Sequence, residues 1–277
     1  NKGDYDLAVR YYMQATELDP SFSWGPRNTA LAQYQAKLSM GKGKILEVTS
    51  DSDEAKNAFD MGRWQLYNLE WENAHKSFSN AIDQDANFAL AYAMRARTSA
   101  FLGNEGDIAD DLDIAVSMSL NASKDEAAII NAVASDMENG TSTFNALSES
   151  LSDKYSDDSF LAFETVFATI SDRGADVVLD RAKALYAMNP NFTPVLNMMG
   201  YAYMEKDDLD NAGKKFQEQI RRAAGSANPY DSMGDYYLAI NDKTSALKYF
   251  EQSAKMGLKA SVAKADSLRS EFSKQDN

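Results

Sequence analysis

Apolar side chains recur along this chain at helical spacing, in stretches of about a dozen residues broken by short polar turns. Three segments show the pattern most plainly: AFDMGRWQLYNLEWENAHKSFSNAI (58–82), LNMMGYAYMEKDDLDNAGKKFQEQI (196–220) and YDSMGDYYLAINDKTSALKYFEQSA (230–254). Each holds Met-Gly, an aromatic-bearing stretch, a polar turn, an Ala twelve residues after the Gly, and a Phe four beyond that. The triplets are Gly62/Ala74/Phe78, Gly200/Ala212/Phe216 and Gly234/Ala246/Phe250. The pattern predicts helical hairpins whose two arms cross closely at the Gly of the first and the Ala of the second, with Phe and Tyr filling the space to the next hairpin. The turns MEKDDLDN and AINDKTS put Asp or Asn where a side chain can cap the second helix.

Gly200 and Gly234 lie 34 residues apart, and the same step from Gly62 reaches Ala96, with Ile108, Leu112 and Ala115 matching Ala74, Phe78 and Ala81. Length and pattern resemble the tetratricopeptide repeat, with its large residue, Leu-Gly, Tyr, Ala, Phe, Ala and closing Pro. Tyr230, Met233, Gly234, Tyr237, Ala246 and Phe250 fit that signature, as do Leu196, Met199, Gly200, Tyr203, Ala212 and Phe216. The register places repeats near Ala55, Ala89 and Ser123, then, after a two-residue slip, near Ser159, Thr193 and Ala227, with Pro20 and Pro190 as closing prolines. The resemblance implies an all-α fold: a right-handed α-solenoid of about seven hairpins with a C-terminal capping helix.

The expected organisation is a second helix of an incomplete repeat over 1–20, a degenerate repeat with an irregular loop over 21–54, repeat-like hairpins over 55–158, clear repeats over 159–258, and a capping helix and tail over 259–277. Pro26 starts a helix in the degenerate repeat, but GKGKILEVTSDSD (41–53) reads as a flexible tip or a contact site. The last helix carries Val262, Ala265, Leu268 and Phe272 as its apolar face. Ala8, Tyr12, Ala15 and Pro20 occupy second-helix positions of a repeat whose first helix would precede residue 1. Leu7, Val9, Tyr11 and Tyr12 should then be left uncovered, and the expectation is that upstream residues or another subunit supply the missing helix.

Charge and composition narrow the function. A net charge of -14 argues against a general nucleic-acid or anionic-membrane binder. With no cysteine there are no thiol nucleophiles, disulfides or thiolate metal sites. No apolar run approaches the ~20 residues of a membrane-spanning helix. A soluble protein is expected, its compartment unassigned but leaning to a bacterial periplasm or cell envelope. The single histidine, His75, reads as a surface residue, and the acids of DIADDLDIA (107–115) lack the glycine of a calcium loop, so they read as a solvated helix start. No phosphate loop, hydride-cofactor motif, nucleophile elbow or zinc helix is present, and no cofactor or metal is expected.

The resemblance implies a partner held in the concave groove, lined by first-helix positions beside the conserved-spacing glycine. Those are Phe59, Arg63, Ala93, Arg97, Asn197, Tyr201, Asp231 and Asp235, with Asn228 nearby. Arg63 and Arg97 make a local basic site or pair with neighbouring acids such as Asp60; Asn197 and Tyr201 suit a peptide backbone; Asn228, Asp231 and Asp235 suit a basic segment. The expectation is a non-enzymatic scaffold for a protein or peptide. Alternatives are an accessory module of a larger enzyme or sensory regulator, and a glycan- or small-ligand-binding envelope protein using Trp24. The lysine and asparagine clamp of chaperone-tail binders has no counterpart at these positions.

Overall fold

The computed structural model describes residues 5–19, 28, 31–32, 43–169, 174–223 and 225–275. Among them are fourteen α-helices and no strands. The chain divides into two compact units, one of residues 37–168 and one of residues 1–36 with 169–277.

In the first of these, α2 (Asp53–Tyr67) pairs with α3 (Trp71–Gln84), α4 (Ala89–Leu102) with α5 (Ile108–Met118), and α6 (Lys124–Asn139) with α7 (Thr143–Lys154); α8 (Ser159–Ala168) packs on α7. The other holds α1 (Tyr5–Leu18), α9 (Gly174–Met188), the hairpin of α10 (Pro194–Glu205) and α11 (Leu209–Arg222), the hairpin of α12 (Asn228–Ala239) and α13 (Lys243–Lys255), and α14 (Lys259–Gln275) packed on α13. Along α1, Tyr11, Met13 and Leu18 are exposed. Pro20, Trp24 and Pro26 lie outside the described residues, as do the side chains of Leu7 and Val9.

The Gly/Ala/Phe triplets explain why the hairpins close, with one change of detail. A Cβ built on Gly62 would sit 2.6 Å from the Phe78 ring; on Gly200, 2.3 Å from Phe216; on Gly234, 2.4 Å from Phe250. The space the glycine leaves is therefore filled by the phenylalanine, not by the alanine, although Ala74, Ala212 and Ala246 are also fully buried. Asp208 caps α11 through the Asn211 amide (3.2 Å), and Asp242 caps α13 through the Ser245 amide (3.0 Å).

The turn inside three hairpins needs a left-handed residue, and Leu69 (φ 60°), Asp207 (φ 59°) and Asn241 (φ 62°) supply it. Asp and Asn tolerate this conformation, whereas a leucine there is strained by about 1–2 kcal/mol. Leu69 is also partly exposed, so little burial is lost with it. Leu69→Asn is expected to raise stability by about 0.5–1.5 kcal/mol, read as a higher Tm; an unchanged or lower Tm would show that the leucine side chain stabilises the turn by more than its backbone strain.

Candidate functional site

The segment 44–50, within the stretch expected as a flexible tip or contact site, is an ordered, extended strap. It crosses the N-terminal ends of the first helices in reverse chain order. The Lys44 amide donates to Asp157 Oδ2 (2.9 Å), and the Asp157 amide returns a bond to the Lys44 carbonyl (3.0 Å), just before α8. The Leu46 amide donates to Asp158 Oδ2 (3.3 Å). At α6 the Thr49 amide donates to Glu126 Oε1 (2.7 Å), and the Thr49 hydroxyl donates to the other oxygen. The Ser50 hydroxyl reaches Asp85 Oδ2 (2.5 Å) ahead of α4, and Ser52 then caps α2 through the Ala55 amide (3.0 Å). Ile45, Leu46 and Val48 are buried, at 8%, 4% and 6% exposure. Gly43, at φ 128°, gives the entry to the strap a backbone that other residues rarely adopt.

Glu126 is also held from within its own helix. Ser123 and Glu126 form a reciprocal capping box at the start of α6: the Glu126 amide donates to the Ser123 hydroxyl (3.3 Å), and the Ser123 amide to Glu126 Oε2 (3.2 Å). Beside the strap lies a cavity of about 370 Å³, with Thr49, Ser50, Asp85, Asn121 and Glu126 in its walls.

The expected groove residues of this unit are interior. Phe59 is fully buried, with its ring 5.6 Å from Phe78 and 4.8 Å from Phe88, so it belongs to the core and has no surface to offer a partner. Arg63 is buried, bonded to Asp60 (2.5 Å), and its guanidinium lies 3.9 Å from the centre of the Phe160 ring. Arg97 makes a two-pronged contact with Glu164, at 2.5 and 3.1 Å. Tyr67 donates to the same carboxylate at 2.5 Å, and its ring lies 4.8 Å from Phe163. Helix α8 thus returns onto α2 and α4, and the two arginines are consumed by acids of the chain itself. Burial alone would make Arg97 easier to deprotonate, but the Glu164 charge more than offsets it and raises its affinity for the proton. Burial, reinforced by Glu164, pushes the Tyr67 hydroxyl well above its ordinary value.

In the other unit the expected residues separate. Asn197 is buried and donates to the Ser232 hydroxyl (2.5 Å), so its amide is not offered to a peptide. Asn228 is buried, and its carbonyl accepts from Ser232 (3.2 Å). Asp231 is covered by α14: Ser261 donates to one oxygen (2.6 Å) and Lys264 to the other (2.8 Å). Tyr201 and Asp235 remain nearer the surface, with the phenol donating to Asp235 Oδ2 (2.7 Å) and Tyr201 36% exposed. Lys264 contacts both Asp235 oxygens at 2.8 Å. Burial around the Tyr201 hydroxyl, then the Asp235 charge, raises its pKa strongly. Lys264 is held above its usual value because its bonds to Asp231 and Asp235 outweigh a burial effect of opposite sign.

Several other sequence candidates resolve into structure. Trp64 is buried, and Trp71 stacks on Phe101 at 5.5 Å. Trp24, the candidate sugar contact, lies outside the described residues. His75 is half-buried, and burial together with Arg95 lowers its pKa. Asp111 is not a solvated helix start: it is buried and grips Arg95 through both oxygens, at 2.8 and 2.6 Å. Among the described residues, no group of three or more His, Asp or Glu side chains is arranged to hold a metal ion, and no helix is long and apolar enough to cross a membrane. The strap is what sequence reasoning missed, because its partners lie 35 to 113 residues away, where no local period reaches.

The family model for the tetratricopeptide repeat matches residues 1–22. No curated protein sequence matches the chain. Among solved structures, a tetratricopeptide repeat protein from Parabacteroides merdae is similar at 13% identity and a TM-score of 0.52, covering 94% of this chain and 97% of that one. The human IFIT1 dimer with m7Gppp-AAAA is similar at 12% identity and a TM-score of 0.53, covering 95% of this chain and 59% of that one. Yeast Tom70 is similar at 12% identity and a TM-score of 0.49, with 97% and 59% covered. The chain therefore spans little more than half the length of the IFIT1 and Tom70 chains. Helical hairpins closed by a glycine against a phenylalanine, the family match over residues 1–22 and the fold shared with the Parabacteroides protein together make this chain similar in fold to tetratricopeptide-repeat proteins.

Proposed function

We propose that the chain is a non-catalytic scaffold that holds a polypeptide segment, and that a basic segment docks on the face carried by α10 and α12. The observation that supports this is the Tyr201–Asp235 pair. It keeps a phenol and a carboxylate near the surface on successive first helices, while the other expected groove residues are buried or covered. Such a pair accepts hydrogen bonds from main-chain amides, and a partly exposed tyrosine supplies contact area at low entropic cost. Asp231 and Asp235 share the single ammonium of Lys264, so one negative charge is left to attract a cationic side chain.

Replacing Tyr201→Ala together with Asp235→Lys is expected to weaken capture of the chain's basic partner at least about tenfold, with helicity unchanged. Affinity pull-down with the wild-type and doubly substituted proteins, followed by titration of the recovered partner, measures this. A partner retained with equal affinity by the substituted protein would place the docking face elsewhere.

A further inference from the structure

The strap belongs to the unit of residues 37–168, whereas the face just proposed belongs to the other unit. It is a short segment whose polar contacts are made to carboxylates at the starts of other helices. Its main-chain amides at Lys44, Leu46 and Thr49 are met by the carboxylates of Asp157, Asp158 and Glu126. Three apolar side chains, Ile45, Leu46 and Val48, are buried beneath it. Main-chain contacts with pockets for particular side chains are how proteins hold extended peptides from other chains.

Two features make this more than a structural tie. The capping box holds Glu126 from within α6 as well, so the central anchor has a support of its own besides its two bonds to Thr49. The strap also fits incompletely: the cavity of about 370 Å³ lies beside Ser50, with Asp85 and Glu126 in its wall. Ser50 lines this space together with Asp85 and Glu126, and a lysine or arginine in its place would extend toward these carboxylates.

We propose that the row of helix ends under the strap is a binding site for an extended segment of a partner protein. The pattern it takes is two adjacent apolar residues, any residue, an apolar residue and a threonine, followed by a basic residue where this chain has Ser50. Residues 44–50 occupy the site in cis, so a partner binds by displacing them. Tethering gives the strap an effective concentration in the millimolar range, and this lowers the apparent affinity of any competitor.

The test uses the whole chain with the strap weakened by Leu46→Ser and Val48→Ser, and a fluorescent peptide of residues 43–52 carrying Ser50→Arg. Fluorescence anisotropy should show the peptide binding the weakened-strap protein at least about tenfold more tightly than wild type. Glu126→Gln in the weakened background should reduce that binding about tenfold, the loss expected for a hydrogen bond to a charged acceptor. A scrambled peptide of equal charge should not bind. Equal affinity for wild-type and weakened-strap proteins, no loss with Glu126→Gln, or equal binding of the scrambled peptide would overturn the proposal. If the weakened protein does not retain wild-type helicity, amide exchange in wild type decides: saturating peptide should accelerate exchange at Leu46 and Thr49, and unchanged rates would refute displacement.

Discussion

Glu164→Ala is expected to destabilise the unit of residues 37–168 by about 3–5 kcal/mol, the range for removing one partner of a buried ion pair. Glu164 is 1% exposed and accepts two bonds from Arg97 and one from Tyr67. A buried carboxylate that loses its partner can take up a proton, but a guanidinium has no neutral form near physiological pH. Arg97 would keep its charge at 15% side-chain exposure with no acid in place to answer it. The double substitution Arg97→Met with Glu164→Leu should recover the part of the loss due to the unanswered guanidinium, since apolar residues of similar volume commonly replace a buried pair at little cost, while the Tyr67 hydroxyl still loses its Glu164 acceptor. Urea unfolding of wild type, Arg97→Met, Glu164→Leu and the double substitution gives the coupling directly. A cost below about 1 kcal/mol for Glu164→Ala would show that water reaches the pair and that the space between α2, α4 and α8 is open.

Phe216→Ala should cost about 3–5 kcal/mol, because the ring is fully buried and its removal leaves a cavity. Gly200→Ala should cost about 1–3 kcal/mol by overpacking, since the added Cβ would lie 2.3 Å from the same ring. Neighbouring aromatics hold that ring, with Tyr201 at 5.2 Å and Tyr236 at 6.4 Å between centroids. The two effects should not add. Once the ring is gone the new Cβ meets open space, and Gly200→Ala in the Phe216→Ala background should become neutral or stabilise by up to about 1 kcal/mol through helix propensity. Thermal unfolding of all four proteins measures this reversal; a glycine substitution equally costly in both backgrounds would mean that some atom other than Phe216 sets the helix approach.

The repeat was legible because its determinants are local in sequence: Gly62 and Phe78, or Gly200 and Phe216, stand sixteen residues apart and touch. Glycine and β-branched residues also argued against a helix over 41–53, and the described residues 43–52 form none. What it could not show is how tightly successive hairpins wind. Repeat position assigns Arg63 and Arg97 to the inner face, but whether that face meets solvent depends on Glu164 and Phe160, two or three repeats away. Asn197, Asn228 and Asp231 failed as groove residues for a related reason: Ser232 and the capping helix cover them. One local signal was available and unused. Asn-Phe precedes both α4 and α10, as Asn87-Phe88 and Asn191-Phe192, and both phenylalanines are almost fully buried at the hairpin junction.

The strap also changes how residues 37–168 come apart. In a simple repeat array each hairpin touches only its neighbours, so the end units fray first and the rest persist. Here seven residues bridge the starts of α2, α4, α6 and α8, and Glu164 joins the last of these helices to the first two. No end hairpin can leave without breaking contacts that also hold its distant neighbours. These contacts close the array into a ring of interactions, and its four successive first helices are expected to melt in a single cooperative step.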